Sequence, residues 1–303
     1  MKVWVPHAEG VPMLAPLPEG VQLEVYGGSG EPPSDPAGIE FWVPPFLAGA
    51  DVPSVLERMP GLKVIQLLSA GAEVWVPRQP DGVTLCDARG VHTSPTAEWV
   101  VTAILAYLRS FPRFARAQAA GVWDYTPTDD LAGKRVLIVG SGDIGEAVAA
   151  RLAPFEVSLT RVARRARPGA HPVAELPELL PDADVVVLLV PLTDATRGLV
   201  DARFLARMAD GALLVNAARG PVVDTKALTA ELATGRIGAA LDVTDPEPLP
   251  EGHPLWTMPN LLLTPHVAGS VRSMLPRAYR LVAEQLRRYA AGEPLANVVT
   301  DGY

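Results

Sequence analysis

Three side chains in the last third of the chain have types that together could do chemistry. Arg219, Glu247 and His266 each follow a short apolar run that is typical of a buried strand. We therefore expect each of them where a strand ends. A guanidinium binds a carboxylate through two parallel hydrogen bonds, and an imidazole can give or take a proton near neutral pH. The three residues predict a site that holds a 2-keto acid and transfers one proton.

A glycine-rich loop lies upstream of these residues, with glycines at Gly140, Gly142 and Gly145. It follows a predicted strand and opens a predicted helix. The first glycine permits a tight turn, the second lets the backbone approach a pyrophosphate, and the third lets the helix pack close to the strand. The helix N-terminus adds N–H donors and a positive partial charge. This context favours a dinucleotide cofactor over a glycine turn in a ligand-free domain.

The end of the following strand indicates which dinucleotide binds. In NAD-binding domains an Asp or Glu about 20 residues after the loop binds the ribose 2′-hydroxyl. Ala163 occupies that position here, and Arg164 and Arg165 follow it. Arginine binds phosphate bidentately, so the pair favours NADPH, which carries a 2′-phosphate, over NADH. The plainer explanation is composition, because most of the 26 basic residues of this chain are arginines.

Each of the first three residues has a plainer interpretation when it is taken alone. Arg219 could form a salt bridge, His266 could be a structural residue after a strand, and Glu247 could be a solvated loop acid. Asp242 is harder to explain in this way, because it lies within a predicted strand and burying an unpaired carboxylate is costly. Asp242 therefore needs a partner, and the carboxamide of a nicotinamide is a candidate.

Two series of short apolar runs and helical stretches position these residues. Such alternation predicts mostly parallel sheets that are covered by helices. In the first series, the predicted strands are 2–6, 21–26, 39–43, 63–68 and 83–87, with a helix at Asp51–Met59. In the second series, the predicted strands are 135–139, 157–163, 183–190, 212–215, 239–243 and 261–264, with a helix at 145–152.

Two further helices connect and close the series. The first is predicted over 96–109, with the Ser94 hydroxyl as its N-cap and an end or kink at Pro112. The last is predicted at 281–289. The residues that follow Val271 are too few to fold alone, so we expect them to complete the first unit.

The predicted fold class is α/β, with two doubly wound parallel-sheet domains. A Rossmann cofactor domain at 97–271 is inserted into a flavodoxin-like substrate-binding domain, which consists of 1–96 and 272–303. The two halves of the split domain are expected to meet in space although they are far apart in the chain.

Composition excludes several classes of function. The chain has 303 residues, is 49% hydrophobic and carries a net charge of −8, which disfavours nucleic-acid partners. Its longest apolar runs are far shorter than the roughly 20 residues of a membrane span, and its first residues are typical of a strand and not of a signal peptide. The only cysteine, Cys86, cannot form an internal disulfide. We therefore expect a cytoplasmic protein without membrane partners, and we predict no metal site.

The motifs, taken in order, resemble those of the D-isomer-specific 2-hydroxyacid dehydrogenases. The resemblance covers most of the chain, and such a series is highly specific. The segments are Leu67-Leu-Ser-Ala-Gly71, Ala97-Glu98, Val139-Gly-Ser-Gly-Asp-Ile-Gly145, Val190-Pro-Leu-Thr193, Val215-Asn-Ala-Ala-Arg-Gly-Pro-Val-Val-Asp224, Ala240-Leu-Asp-Val243, Pro246-Glu-Pro248 and Pro259-Asn-Leu-Leu-Leu-Thr-Pro-His266.

The resemblance implies roles for these residues. Arg219 would bind and polarise the 2-keto acid, His266 would be the general acid in reduction, and Glu247 would support His266. The backbone amides of Ala70 and Gly71 would hold the substrate carboxylate. The implied cofactor-binding residues, including Asp242 at the nicotinamide, are Gly140, Gly142, Asp143, Ile144, Gly145, Arg164, Arg165, Pro191, Thr193, Ala217 and Asp242.

The resemblance also implies a homodimer, because the long helix after Glu98 is similar to the family's dimerisation arm. The arginine pair after Ala163 is similar to the NADPH-preferring glyoxylate/hydroxypyruvate reductase-like members. The predicted function is therefore hydride transfer from NAD(P)H to a 2-keto acid, with NADP preferred over NAD. Glyoxylate, hydroxypyruvate, pyruvate and bulkier keto acids all remain open as substrates.

Three further classes of function stay open. A related dehydrogenase could act on formate or phosphite, although residues 69–77 contain no lysine for an inorganic anion. A cofactor-sensing binding protein, like the corepressors that share this fold, could retain the same three residues. A purely structural α/β protein is the third class. Oxidation of the cofactor by keto acids separates an enzyme from a sensor.

Overall fold

The computed structural model describes residues 1–46 and 52–300, which form two compact units. One unit consists of Met1–His92 and Val271–Tyr303, and the other consists of Thr93–Ser270. The predicted start of the first helix, Asp51, lies outside the described residues, and so do the last three residues of the predicted substrate-binding domain, 301–303.

The strands and helices alternate along the chain as a βα pattern requires. The strands are β1 (Lys2–Val5), β2 (Gln22–Val25), β3 (Phe41–Trp42), β4 (Val64–Gln66), β5 (Thr84–Cys86), β6 (Arg135–Val139), β7 (Ser158–Ala163), β8 (His171–Pro172), β9 (Val185–Leu188), β10 (Leu213–Asn216), β11 (Gly238–Leu241) and β12 (Leu261–Leu263). The α-helices are α1 (Val52–Leu56), α2 (Thr93–Leu108), α3 (Phe111–Ala119), α4 (Asp143–Leu152), α5 (Leu176–Leu179), α6 (Ala202–Arg207), α7 (Thr225–Ala233) and α8 (Met274–Ala291).

The first unit is built on a five-stranded parallel sheet in the order β2-β1-β3-β4-β5. This is the flavodoxin-like order that the sequence predicted. Helix α8 belongs to this unit, and its Tyr279 and Val282 are buried in the same core as Val3 and Phe41. The buried Gln285 amide bonds to Gln66 Oε1 at 2.7 Å and to the Ala296 carbonyl at 2.8 Å. Residues after 271 thus fold with the first strands of the chain.

The second unit is built on a seven-stranded parallel sheet in the order β12-β11-β10-β9-β6-β7-β8. Six of these strands reproduce the Rossmann order, and β12 extends it. The strand order reverses between β6 and β9, and parallel α/β sheets bind ligands outside the carboxyl ends of their strands at such a point. Strand β9 is entirely buried, as its run of valines and a leucine predicted.

Some local predictions were wrong at their boundaries. Helix α2 begins at Thr93, so Ser94 lies inside the helix and its hydroxyl accepts a hydrogen bond from Arg151 Nη2 at 3.0 Å and does not cap the helix. The break before Pro112 falls at Ser110, which has φ +53° and separates α2 from α3. Strand β8 was not predicted, because two residues carry no periodic pattern.

Helix α8 begins at Met274, earlier than the predicted Leu281. Pro276 concealed this start, although proline is tolerated in the first turn of a helix, where its missing N–H is not needed. None of the described helices combines the length and apolar character that crossing a membrane requires.

Candidate active site

His266 and Glu247 form a hydrogen-bonded pair in the second unit. His266 Nδ1 lies 2.6 Å from Glu247 Oε1, and the two side chains are 35% and 41% exposed. A carboxylate only accepts hydrogen bonds, so Nδ1 carries the proton and Nε2 is the ring atom left to face a substrate. The sequence predicted this pairing through the family resemblance.

The backbone at His266 is held in an unusual conformation by Asp242. His266 has φ +54°, a region that residues other than glycine rarely adopt. Its N–H donates to the Asp242 carbonyl at 2.7 Å. The Asp242 carboxylate accepts from the Thr264 hydroxyl at 2.6 Å and from the backbone N–H groups of Val267 and Ala268 at 2.8 Å each. Asp242 thus fixes the turn that carries His266.

Asp242 lies directly after β11 and not within a strand, which corrects the predicted strand end at 243. It is 2% exposed, and its carboxylate has the hydrogen-bond partners that a buried charge needs. Those partners belong to the protein itself. The predicted contact between Asp242 and a nicotinamide carboxamide therefore is not needed to explain its burial, and it stays a prediction.

Arg219 follows β10 in a turn that is held by Asn216. The Asn216 side chain accepts from the Ala218 N–H at 3.0 Å and donates to the Arg219 carbonyl at 3.1 Å. Arg219 Nη1 donates to the Ala218 carbonyl at 2.7 Å. Asn216 is 1% exposed, whereas Arg219 is half-buried. Neither composition nor spacing singled out Asn216, and its only signal was an amide side chain at the end of an apolar strand.

Gly220 brings the Arg219 turn against the segment that leads to Glu247. A Cβ at Gly220 would lie 1.9 Å from the Thr244 carbonyl oxygen, so no side chain fits there. The Thr225 hydroxyl donates to the Asp245 carbonyl at 2.7 Å, which ties this segment to the start of α7. The β10 and β11 ends are also joined, because the Asp242 N–H donates to the Asn216 carbonyl at 3.0 Å. The turns carrying Arg219 and Glu247 are therefore in backbone contact.

The glycine loop has the features that its sequence predicted. Gly140 has φ +114°, and a Cβ there would lie 2.5 Å from the Leu189 carbonyl oxygen. A Cβ at Gly145 would lie 2.0 Å from the Gly140 carbonyl oxygen, so α4 packs close to the loop. A Cβ at Gly142 would meet nothing within 4 Å. Gly142 is thus not required for packing, and it leaves open space in front of the α4 N-terminus where a phosphate fits.

Arg167 is a cation at the glycine loop that the sequence analysis missed. Its Nη2 contacts the Ser141 carbonyl oxygen and lies 3.5 Å from Glu146 Oε1. Arg161 also pairs with Glu146, and its Nε donates to the Gly169 carbonyl at 3.1 Å. The signal was present in the sequence, since Arg167 follows the predicted pair by two residues. A turn at 167–170 brings it back over the loop.

The remaining predicted cofactor residues lie at the carboxyl edge of the same sheet. Arg164 and Arg165 are exposed directly after β7. Asp143 and Ile144 form the first turn of α4. Pro191 and Thr193 follow β9, and Ala217 follows β10, in agreement with their predicted places. These positions fit a dinucleotide along the strand ends, although their contacts with it stay predictions.

Ala70 and Gly71 belong to the first unit, in the loop after β4. The Ser69 hydroxyl donates to the Gly71 carbonyl at 2.8 Å, and the Ala88 N–H donates to the Ser69 carbonyl at 2.8 Å. The buried His92 holds the start of the loop through its Nε2, 2.8 Å from the Leu68 carbonyl oxygen. The loop is well held within its own unit, and its part in binding a carboxylate stays a prediction.

The second unit matches a family of known proteins. Residues 101–268 match the family model for the D-isomer specific 2-hydroxyacid dehydrogenase, NAD binding domain. Glyoxylate reductase from Thermofilum pendens is 36% identical over 254 residues, which cover 79% of this chain and 75% of that protein. The chloroplastic/mitochondrial formate dehydrogenase from Arabidopsis thaliana is 34% identical over 236 residues, which cover 73% of this chain and 62% of that protein.

A solved structure extends the similarity to the whole chain. It is a D-isomer specific 2-hydroxyacid dehydrogenase from Xanthobacter autotrophicus Py2, crystallised in complex with NADPH and MES. It is 34% identical, superposes with a TM-score of 0.85, and the match covers 99% of each chain. The similarity therefore includes both α/β units.

Proposed function

Because the chain belongs to the D-isomer specific 2-hydroxyacid dehydrogenase family, it is an NAD(P)-dependent oxidoreductase that acts on a CH–OH group, and we propose that it reduces glyoxylate or hydroxypyruvate with NADPH. The observation that carries the proposal is the His266–Glu247 pair, next to the turn that presents Arg219. This set can donate one proton and bind one carboxylate.

The chain's own residues bind the substrate, stabilise the developing charge and donate the proton, whereas the cofactor supplies the hydride. Arg219 binds the carboxylate of the keto acid and stabilises the negative charge that develops on the keto oxygen. His266 donates its Nε2 proton to that oxygen, which becomes the hydroxyl of the product, and the ring regains a proton from water. Glu247 orients the ring through Nδ1 and stabilises its charge before the transfer. A bound nicotinamide cofactor supplies the hydride that reduces the keto carbon.

The preference for NADPH rests on the charges beside the glycine loop. Ala163 occupies the position where an acid would select NADH, Arg164 and Arg165 are exposed directly after it, and Arg167 contacts the loop itself. Glu146 is the acid that pairs with Arg161 and Arg167. Guanidinium groups in this number favour a 2′-phosphate. The relative from Xanthobacter autotrophicus Py2 was crystallised with NADPH, which supports the same choice.

Formate oxidation is the second candidate, because formate dehydrogenase from Arabidopsis thaliana is among the relatives. Formate has no keto oxygen to protonate, so its oxidation needs no general acid. The His266–Glu247 pair, which leaves Nε2 of the ring to donate a proton to a keto oxygen, is better matched to keto-acid reduction. Phosphite oxidation and cofactor sensing without turnover are less well matched to this pair for the same reason.

Initial rates with a panel of substrates test the proposal. Glyoxylate, hydroxypyruvate, pyruvate and a bulkier keto acid are each assayed with NADPH and with NADH, and formate and phosphite are assayed with both oxidised cofactors. We expect the highest kcat/KM with glyoxylate or hydroxypyruvate and NADPH. Turnover of formate alone would replace the proposal by the second candidate. Cofactor binding without any turnover would indicate a sensor.

We also propose that the small keto acid is held in part by the backbone amides of Ala70 and Gly71. The Ser69 and His92 side chains fix this loop within its unit. Gly71→Pro removes one N–H donor, and we expect it to raise the KM for glyoxylate while the KM for NADPH stays unchanged. An unchanged KM for glyoxylate would remove Gly71 from the site.

A homodimer is the proposed assembly. The segment around α3 exposes large apolar side chains, and Trp123 and Tyr125 are 94% and 88% exposed. Exposed apolar surface of this kind is typical of a protein interface. Sedimentation is expected to give twice the mass of the chain, and Trp123→Ser with Tyr125→Ser is expected to give the single mass. Trp256→Ser is the matched control, because Trp256 is also exposed, at 54%, but lies elsewhere.

The cytoplasm is the proposed compartment. Cys86 is the only cysteine, and it is fully buried. Burial raises the pKa of its thiol to about 12, so the thiol is inert and no disulfide is available to stabilise the protein. Fractionation of cells that express the chain without an added tag or leader would test this compartment. Recovery of the protein outside the cytoplasmic fraction would contradict the proposal.

A further inference from the structure

Asn216 occupies a position that the proposed reaction does not by itself explain. It is the last residue of β10, it is 1% exposed, and it is flanked by Leu188 on β9 and Leu241 on β11. A polar side chain in such an apolar setting is costly unless its hydrogen bonds are satisfied. Its neighbours in the strand, 213–215, are apolar and equally buried, so burial alone would favour another leucine or valine.

Both ends of the Asn216 amide are used on the same turn. Oδ1 accepts from the Ala218 N–H at 3.0 Å, and Nδ2 donates to the Arg219 carbonyl at 3.1 Å. The Ala218 carbonyl in turn accepts from Arg219 Nη1 at 2.7 Å. One buried side chain therefore bonds the peptide group before Ala218 and the peptide group after Arg219, and so holds both ends of the two-residue segment that carries the Arg219 side chain.

We propose that Asn216 is a positioning residue that sets the Arg219 guanidinium for the 2-keto acid. The inference rests on the proposed function of Arg219. Gly220 packs the other side of the turn against the Thr244 backbone, so the segment that carries Arg219 is held from both sides. Loss of the amide would free the turn without removing any group that touches the substrate.

The role requires an asparagine in particular. The turn needs an acceptor for one N–H and a donor for one carbonyl, and a side chain of this length must offer both. Aspartate would keep the acceptor but would place a second acceptor against the Arg219 carbonyl. A serine hydroxyl can accept a hydrogen bond from the Ala218 N–H, two residues further along the chain, but it is too short to donate to the Arg219 carbonyl as well. Alanine offers neither.

Steady-state kinetics with glyoxylate and NADPH measure the effect. We expect Asn216→Ala to lower kcat/KM for glyoxylate by about 10- to 100-fold, as a small misplacement of a catalytic group does. The kcat/KM of Asn216→Ser should lie between those of Asn216→Ala and the parent protein. Asn216→Ser also provides the test if Asn216→Ala fails to fold. The KM for NADPH should stay unchanged in both variants, which a general loss of structure would not allow.

Asn260 provides the matched control. Its Nδ2 also makes two hydrogen bonds to backbone carbonyls, those of Leu232 at 3.0 Å and Ile237 at 2.7 Å. It precedes β12, so it lies at the opposite edge of the sheet from Arg219. Asn260→Ala should lower the melting temperature about as much as Asn216→Ala does, because each loses two hydrogen bonds to the backbone. Its kcat/KM for glyoxylate should stay at the parental value.

A double-mutant cycle with Arg219→Ala decides whether Asn216 acts through Arg219. We expect Asn216→Ala to have little further effect once Arg219 is alanine, because coupled residues are not additive. Additive losses, or parental kinetics in both Asn216 variants, would overturn the inference and leave the proposed function intact. Parental activity in Arg219→Ala itself would instead overturn the proposed function, and the inference with it.

Discussion

Two regions along one edge of the seven-stranded sheet are built in opposite ways. At the ends of β10 and β11, the buried polar side chains of Asn216 and Asp242 hold the turns that carry Arg219 and His266. At the ends of β6 and β7, the loop is shaped by glycines, exposed arginines follow β7, and one of them, Arg167, contacts the loop. We call these the reaction region and the phosphate region.

The difference teaches what each region must do. Proton transfer and charge stabilisation depend on distances, so the reaction region is fixed by hydrogen bonds that water cannot replace. Binding of phosphate by exposed charges tolerates small shifts, so the phosphate region relies on open space and on arginines at its surface. Substitutions in the first region should therefore change kcat, and substitutions in the second should change cofactor affinity and choice.

The largest effect is expected for His266→Ala. Loss of the general acid should lower kcat for glyoxylate reduction by roughly 1,000-fold, while the dissociation constant of NADPH changes little. His253→Ala is the matched control, because His253 lies in the same part of the chain and only caps a short helical turn through Nδ1, 3.3 Å from the Leu255 nitrogen. A parental kcat in His266→Ala would contradict the claim that substitutions in the reaction region change kcat.

A side chain at Gly142 should act in the phosphate region alone. A Cβ there meets nothing within 4 Å, so Gly142→Val should leave the melting temperature unchanged. The valine would fill the space of the pyrophosphate and raise the dissociation constant of NADPH by about 10- to 100-fold, the loss of one or two charge-assisted hydrogen bonds. Fluorescence titration measures this constant.

Gly145→Val is the matched comparison within the same loop. Its Cβ would lie 2.0 Å from the Gly140 carbonyl oxygen, so the variant should lose stability, by about 1–3 kcal/mol or more. Thermal unfolding of the two variants separates a glycine kept for the ligand from a glycine kept for the fold. Equal losses of stability would contradict the distinction.

Removing the charge of Glu247 should have a smaller effect than removing His266. Glu247→Gln can still accept a hydrogen bond from Nδ1, but it no longer stabilises the imidazolium, so we expect kcat to fall by about 10-fold. Glu251→Gln is the control, because Glu251 is an exposed acid in the same loop. If the two variants had the same kcat, the 2.6 Å pair would have no catalytic role.

An effect of the same size, on cofactor choice and not on kcat, is expected for the exposed arginines of the phosphate region. Arg164→Ala with Arg165→Ala should lower the ratio of kcat/KM with NADPH to that with NADH by about 10-fold, the value of one charge-assisted bond. High salt should reduce the same ratio in the parent protein. Arg203→Ala, another exposed arginine, should leave it unchanged. An unchanged ratio in the double variant would end the argument for a 2′-phosphate.

Much of this architecture could be predicted because its signals are local. Strand β6 was predicted with its observed bounds, since an apolar run that ends in a glycine loop fits few other structures. Arg167 was missed because Pro168-Gly169 predicts a turn but not that this turn brings Arg167 against the Ser141 carbonyl, a contact between residues 26 positions apart. The start of α2 at Thr93 was missed because Ser94 and Pro95 are as typical of a helix cap as of a first turn.

The sequence by itself determined the alternation of strands and helices, the glycine loop, and the order of Arg219, Glu247 and His266. Periodicity and glycine spacing are properties of the chain, so no folding is needed to detect them. Only the tertiary structure decided that Asp242 supports the His266 turn and that Asn216 supports the Arg219 turn. A buried polar side chain is explained by its partners, and the folded sheet brings those partners within reach.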